Sequence, residues 1–493
     1  MFDKLKQKVQ ELKISNDASL PVFPEAGKIT KRDIYQNRYN FGVNFGSLFV
    51  LEKYIYDSLF SAGGENEHDA IVAYAKKTSV NDAAKKLEEH YTNYISDDDW
   101  RWLKDEAGIT AIRLPVGYWH IGNGQFLEKG MCFEDLQKVY ESAKPWDHIK
   151  RIVADAKKNE IGVLFDLHAL PGGANGDAHS GETNGGKAKF FQNGKAVKKV
   201  VEEMLPFVVN DLCQQNENVI GLQIVNEAAF NNSPSAERNY YAKAIRSIRK
   251  LDSTLPIVIS DGWWPDQWAD WLENVKLSND VVIDSHTYRC FSDEDKSKSA
   301  RQLTDELHET VNFAKDKADY VVGEFSCVLD GSTWDKTKEP RDECVASYGQ
   351  KQTQVFQDNA SWGWFFWTYK FEHGDGGEWG FVPMVNRGCI PKRPRTDPHI
   401  DDNRVKDIVA EHVNYWKDKG GDKFEHWRYE DGIKNAIDDI KAFNAFEHSR
   451  VGRRHFMKNV RRHQYTKDKG DSEYMWEWEQ GYDKGLDEFN RYK

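Results

Sequence analysis

Eight short apolar runs, with helical pattern in most of the intervals between them, constrain this chain more than any other feature. They fall at 41–45, 110–114, 161–167, 220–225, 256–260, 281–285, 320–323 and 363–367, and are rich in β-branched or aromatic residues. Runs of this length without polar alternation read as strands covered on both faces, as in a parallel sheet. Helical periodicity marks 146–157, 196–213, 235–251, 300–317 and 345–359. Pro145 precedes the first of these, which suits a helix start. Alternation with a count of eight predicts a (β/α)8 barrel. An open doubly wound sheet would also alternate. No Gly-x-Gly-x-x-Gly turn follows the first run, however, so the nucleotide-binding version loses its main support.

With 493 residues, one barrel with long loops can absorb most of the chain. We read 1–30 as an N-terminal extension, 31–420 as the barrel, and 421–493 as a charged, aromatic-rich helical extension packed on it. Within the first segment, Phe2, Leu5, Val9 and Leu12 share one face of a lysine-rich stretch. This predicts a surface helix on the barrel, without the apolar core of a secretory signal. The interval 47–105 carries helical stretches of its own near 68–75 and 80–94, and 169–184 reads as an active-site loop. No apolar run approaches the ~20 residues that a membrane span needs. Six scattered cysteines without a CxxC pair predict reduced thiols in a cytoplasmic protein. The net charge of −12 argues against a general nucleic-acid binder. The basic run at 450–469, followed by Asp471 and Glu473, reads as a solvated helix face.

In a parallel barrel, the C-terminal ends of the strands carry the chemistry. Glu227 follows the fourth apolar run and Glu324 the seventh. Two carboxylates about 5 Å apart on such a rim would suit a retaining glycosidase. Glu324 as nucleophile must be ionised, and Arg113 and Tyr288 are suitable donors to it. Glu227 as acid must hold a proton, and burial beside a negative charge would raise its pKa. Asn226 can donate to the sugar 2-hydroxyl, Trp367 would floor the sugar subsite, and His168 and His286 would hold hydroxyls and orient the carboxylates. Each residue alone has a bland reading: Arg113 as an ion-pair partner, either histidine as satisfied core, Glu227 as a helix cap, Trp367 as plain core. Their joint arrival at matching strand ends favours a site. Seventeen tryptophans and 13% aromatics also suit a cleft that stacks sugar rings.

These motifs resemble glycoside hydrolase family 5 of clan A, in particular its fungal exo-β-1,3-glucanase and β-glucosidase branch, over residues 41–385. Gly42-Val43-Asn44-Phe45-Gly46 with Leu51-Glu52 resembles the opening strand and first loop, and Arg113-Leu114-Pro115-Val116-Gly117-Tyr118-Trp119 the second strand. Asn226-Glu227 matches the family's acid/base motif, His286-Thr287-Tyr288 its sixth-strand pair, Glu324-Phe325 its nucleophile, and 364–367 with Glu378-Trp379 the end of its barrel. The resemblance implies that Glu52 binds an outer hydroxyl of the terminal sugar. It also implies that Phe291 is half of an aromatic clamp at the pocket mouth. The other half, a phenylalanine in the secreted glucanases, aligns with Asp177.

The leading expectation is a retaining β-glucosidase of a small-molecule glycoside or oligosaccharide, needing no cofactor or metal. A flavonoid diglycosidase, a glycolipid or steryl glucosidase and an exo-β-1,3-glucanase are alternatives within that class. A metal-dependent hydrolase is weakly supported, because the first strand lacks a His-x-His. A catalytically silent carbohydrate-binding protein would not need both carboxylates and their supporting residues.

Overall fold

A computed structural model describes residues 23–277 and 281–491. The surface helix expected at 1–12 lies outside the described residues. Eight parallel strands close into a barrel in sequence order. They are β1 (Asn40–Asn44), β2 (Ala111–Gly117), β3 (Gly162–Ala169), β4 (Val219–Gln223), β5 (Ile257–Ser260), β6 (Val281–Thr287), β7 (Asp319–Phe325) and β8 (Gly363–Phe366). β8 pairs with β1, placing Gly42 beside Phe365 and completing the ring. A Cβ on Gly42 would lie 2.2 Å from the Phe365 ring, so only glycine fits there.

All eight expected strands are present. β2, β3, β6 and β7 continue past the apolar runs toward the rim, by two or three residues. In β3, β6 and β7 the reason is chemical. His168, His286 and Glu324 stand inside β3, β6 and β7, so an apolar run stops where the polar site begins while the backbone ladder goes on.

The helices around the barrel include α1 (Lys31–Asn37), α2 (Glu67–Lys77), α3 (Val80–Asn93), α4 (Pro145–Lys158), α5 (Ser235–Arg249) and α6 (Arg341–Asn359). Pro145 is the first residue of α4. Segment 194–213 is helical throughout, with π-helical turns at Val200–Met204 and Val209–Cys213. The expected helix at 300–317 is shorter. It breaks into Ala300–Asp305 and Leu307–Thr310, and Val311 leaves the helical region. Phe313 then turns inward to stack on Tyr320 at 4.7 Å, so tertiary packing overrides the local pattern.

The C-terminal part is helical: α7 (Asp402–Lys417), α8 (His426–Asn444), α9 (Arg454–Lys469) and α10 (Met475–Phe489). α8 and α10 approach closely through glycines. A Cβ on Gly432 would meet the Trp478 carbonyl oxygen at 2.2 Å, and one on Gly481 the Tyr429 carbonyl oxygen at 2.0 Å. Inward residues of the lower barrel, among them Ala111, Ile220, Val282 and Val321, form one core with Ile433, Phe456 and Trp478 of these helices. The joint is polar as well. Asp319, first residue of β7, accepts the backbone N–H groups of His455 and Phe456 at 2.9 and 3.0 Å and the Ser361 hydroxyl at 2.7 Å. It thereby satisfies two of the free donors at the start of α9. The helices close the N-terminal end of the barrel, leaving the opposite rim open.

Candidate active site

Arg113 organises the centre of the barrel mouth. It projects from β2 and is completely buried, so each N–H of its guanidinium fork needs a partner. Nε donates to Gln223 Oε1 at 2.9 Å, and Nη1 to Asn44 Oδ1 and Glu324 Oε1, both at 2.9 Å. Nη2 donates to Asn226 Oδ1 at 2.7 Å and lies 3.0 Å from Asp166 Oδ2. One cation on β2 thus gathers side chains from β1, β3, β4 and β7. Burial works against its charge, but Asp166, Glu324 and Asp284 outweigh this and raise its pKa further.

Two inward pairs share one spacing: Asp166 with His168 on β3, and Asp284 with His286 on β6. Residues two apart on a strand face the same side. Asp166 Oδ2 lies 2.6 Å from His168 Nδ1, and Asp284 Oδ2 lies 3.0 Å from His286 Nε2. His168 Nε2 in turn faces Asn226 Nδ2 at 3.3 Å. Because Asn226 Oδ1 is taken by Arg113, its amide nitrogen is the group left to donate. Asp284 also accepts the Gly323 N–H at 2.7 Å. A Cβ at 323 would sit 2.1 Å from that carboxylate, which explains the glycine before Glu324.

The two glutamates converge. One oxygen of Glu227, one oxygen of Glu324 and a ring nitrogen of His286 all lie within 4.8 Å of one another. Glu324 is held by Arg113 and by the Tyr288 hydroxyl, which donates to Oε2 at 2.9 Å. Glu227 is held by imidazoles: His286 Nδ1 at 2.7 Å from Oε1 and His179 Nε2 at 3.2 Å from Oε2. Its backbone is left-handed, with φ of 41°, an uncommon conformation for a non-glycine residue. The Asn175 amide donates to its carbonyl oxygen at 2.9 Å and supports that bend.

The expected upward pKa shift of Glu227 is not what the structure shows. Burial pushes its carboxyl up, but the His286 hydrogen bond and the neighbouring imidazoles of His179, His286 and His168 prevail and hold it low, at about 2. His286 moves the other way. Burial opposes its charge, yet Glu324 and Asp284 hold its pKa well above the ordinary value. The hydrogen bond between His286 Nδ1 and Glu227 thus joins a carboxyl held low to an imidazole held high. Burial and the like charges of Glu324 and Glu227 push Glu52 well up.

Around this centre stands an aromatic wall. Trp367 is buried, lies near-parallel to the His168 ring at 6.1 Å, and donates its Nε1–H to the Tyr54 hydroxyl at 2.6 Å. Phe291 is 63% exposed and packs against Tyr288 and Trp379. Trp263 is also exposed, edge-on to His286. Asp177 is exposed, with its N–H donated to Asn175 Oδ1. Sequence reasoning did not single out His179, Asp284, Gln223, Asn44 or Tyr54. The repeated Asp-x-His at two strand ends was a legible signal for Asp284; His179 lies on a loop and had none.

Residues 73–373 match the family model described as cellulase, glycosyl hydrolase family 5, and residues 399–493 match the glucan 1,3-beta-glucosidase 3 C-terminal domain. An uncharacterized glycosyl hydrolase of Saccharomyces cerevisiae is 50% identical over the full length of both chains. Glucan 1,3-beta-glucosidase 3 of Schizosaccharomyces pombe is 34% identical over 84% of this chain and 88% of its own. Among solved structures, the rutinosidase from Aspergillus niger shares the fold at a TM-score of 0.54, with 19% identity over 72% of this chain and 99% of its own. With a family model spanning more than half of the chain, a barrel of the matching architecture and two carboxylates converging at its mouth, the chain belongs to glycosyl hydrolase family 5 and is a retaining β-glycosidase.

Proposed function

We propose that the protein removes a terminal glucose from a β-glucoside by double displacement, with Glu324 as nucleophile and Glu227 as acid/base. The observation that carries this reading is that one oxygen of each carboxylate lies within 4.8 Å of the other. An inverting site would hold them about 6.5–9.5 Å apart to admit a water between. Their partners differ in the sense the roles require. A guanidinium and a phenol on Glu324 favour an ionised group aimed at the anomeric carbon. Glu227 shares a 2.7 Å contact with His286, along which a proton can return to it once a sugar displaces the solvent.

In the first step Glu324 bonds to the anomeric carbon while the glycosidic oxygen departs with the Glu227 proton. In the second, Glu227 takes a proton from water, whose oxygen displaces Glu324 from the sugar. Asn226, its oxygen tied to Arg113, is left to donate to the sugar 2-hydroxyl. Glu52 and His168 serve outer hydroxyls. Trp367 underlies the ring.

For the substrate we favour small aryl or alkyl β-glucosides over long β-1,3-glucans. Asp177 stands where an aromatic clamp residue is expected, while Phe291 keeps the other side. A second reading, exo-β-1,3-glucanase, is favoured by the name of the Schizosaccharomyces pombe relative. We place the enzyme in a reducing, cytoplasmic setting, a reading supported by six cysteines that are all unpaired. The test is hydrolysis by purified protein, with a chelator present, of p-nitrophenyl β-glucoside, a steryl glucoside, a flavonoid diglycoside and laminari-oligosaccharides. Release of β-glucose with the highest kcat/KM on the small glucosides is expected. Release of α-glucose, or activity on none of them, would reject the assignment.

A further inference from the structure

The C-terminal helices carry a cluster that the hydrolytic reaction does not use. His412 lies on α7, His426 is the first residue of α8, and Glu477 sits in the first turn of α10. Both rings aim a nitrogen at the same carboxylate oxygen. His412 Nε2 is 2.7 Å and His426 Nδ1 is 3.2 Å from Glu477 Oε2. One donor atom from each of the three residues lies within 4.8 Å of the others.

Glu477 is completely buried, and its second oxygen, Oε1, has no hydrogen-bond donor among the described residues. Its ion-pair partners among those residues are these two imidazoles. A buried carboxylate so placed lacks the cationic partner that such a charge normally requires. Aromatic rings frame the cluster. The Tyr429 ring stacks on His412 at 3.7 Å, nearly parallel, and Trp416, Phe424 and Trp476 pack edge to face beside it.

We propose that His412, His426 and Glu477 form a binding site for a zinc-class divalent cation that ties α7, α8 and α10 together. Two imidazoles and a carboxylate are a zinc ligand set, with a fourth position left for water. With zinc–ligand bonds of about 2.0–2.2 Å, tetrahedral donor atoms stand roughly 3.3 Å apart. The nitrogen–oxygen separations of 2.7 and 3.2 Å would open by about 0.6 and 0.1 Å to reach that spacing, and the two ring nitrogens lie within 4.8 Å of each other. Three helices distant in sequence would then be cross-linked at one point, on the part of the fold that closes the barrel floor.

The test uses full-length, tag-free protein stripped with a chelator, gel-filtered and titrated with zinc or cobalt(II). The expected result is about one tightly held metal per chain, a visible absorption band from low-coordinate cobalt, and a rise in Tm of a few degrees on zinc addition. His426→Gln, at the more exposed ligand, should lose the metal, the band and the Tm rise while keeping its far-UV circular dichroism. Glu477→Gln should do the same if it folds. Glu324→Gln and His373→Gln alter two other groups in which a histidine and two carboxylates offer donor atoms within 4.8 Å of one another, and both should retain the metal. Less than about a tenth of an equivalent in wild type, or full binding by His426→Gln, would overturn the proposal and leave a hydrogen-bonded triad that only satisfies Glu477.

Discussion

Glu227→Ala separates the two chemical steps and tests the division of roles most sharply. The substitution removes the carboxylate that His286 and His179 hold 2.7 and 3.2 Å away, and leaves Glu324 on Arg113 and Tyr288. Nucleophilic attack therefore survives, and what is lost is the proton for the leaving oxygen and later the base for water. General acid–base catalysis contributes about 10²–10⁴-fold, or about 3–5 kcal/mol at 1.36 kcal/mol per tenfold. An alkyl β-glucoside, whose alkoxide cannot leave unaided, should lose kcat/KM by that factor. A dinitrophenyl β-glucoside should lose less than about tenfold, because its phenolate departs without a proton. Its kcat should fall, since the glycosyl-enzyme now waits for unactivated water. Azide needs no base and should restore kcat, giving β-glucosyl azide. The β configuration follows from carboxylates within 4.8 Å, which place attack and departure on the two faces of one sugar ring. The assay is steady-state kinetics on both substrates with and without azide, and proton NMR of the product. Equal losses on both substrates, no rescue, or an α-azide would refute the reasoning.

Further outcomes follow from other contacts. Because Glu227 is held below its unfolded value, its ionisation stabilises the fold above that value, and the contribution is lost as pH falls toward about 2. Urea melts of Glu227→Gln should show a flatter acid-side decline than wild type; an unchanged slope would count against the His286–Glu227 proton arrangement. Asp177→Phe should raise the ratio of kcat/KM on laminari-oligosaccharides to that on aryl glucosides by about fivefold, the worth of ~1 kcal/mol of aromatic contact, and an unchanged ratio rejects the clamp argument. Asp319→Ala removes the acceptor for two α9 backbone donors and a hydroxyl. It should cost about 2–4 kcal/mol of stability with kcat on an aryl glucoside preserved, as measured by denaturant melts and kinetics at low temperature. Thiol titration of the denatured, unreduced protein should find all six cysteines free; two or fewer would argue for an oxidising compartment.

Much of the barrel was legible because strands buried on both faces leave a local mark, an apolar run of fixed length, that needs no knowledge of neighbours. The glutamates were legible for a related reason. A charged residue at the end of such a run is costly unless it serves a purpose. What the pattern missed was the continuation of β3, β6 and β7 through His168, His286 and Glu324, since the polar site interrupts the hydrophobic signal without interrupting the strand. The helix expected at 300–317 failed because Phe313 finds Tyr320 only after folding.

The sequence by itself determined the number and order of strands, the helical tail, and the residue types at the barrel mouth. Only the tertiary structure decided the directions in which the site's groups shift. Glu227 is pulled low because His286 arrives from 59 positions away, and His286 is pushed up because Glu324 and Asp284 flank it. The same holds for Arg113, whose bond to Glu324 spans 211 positions. It holds too for His412, His426 and Glu477, which no spacing rule would group. Periodicity reports which side of an element is buried; it carries no record of which distant charges will meet there, and those meetings set the chemistry.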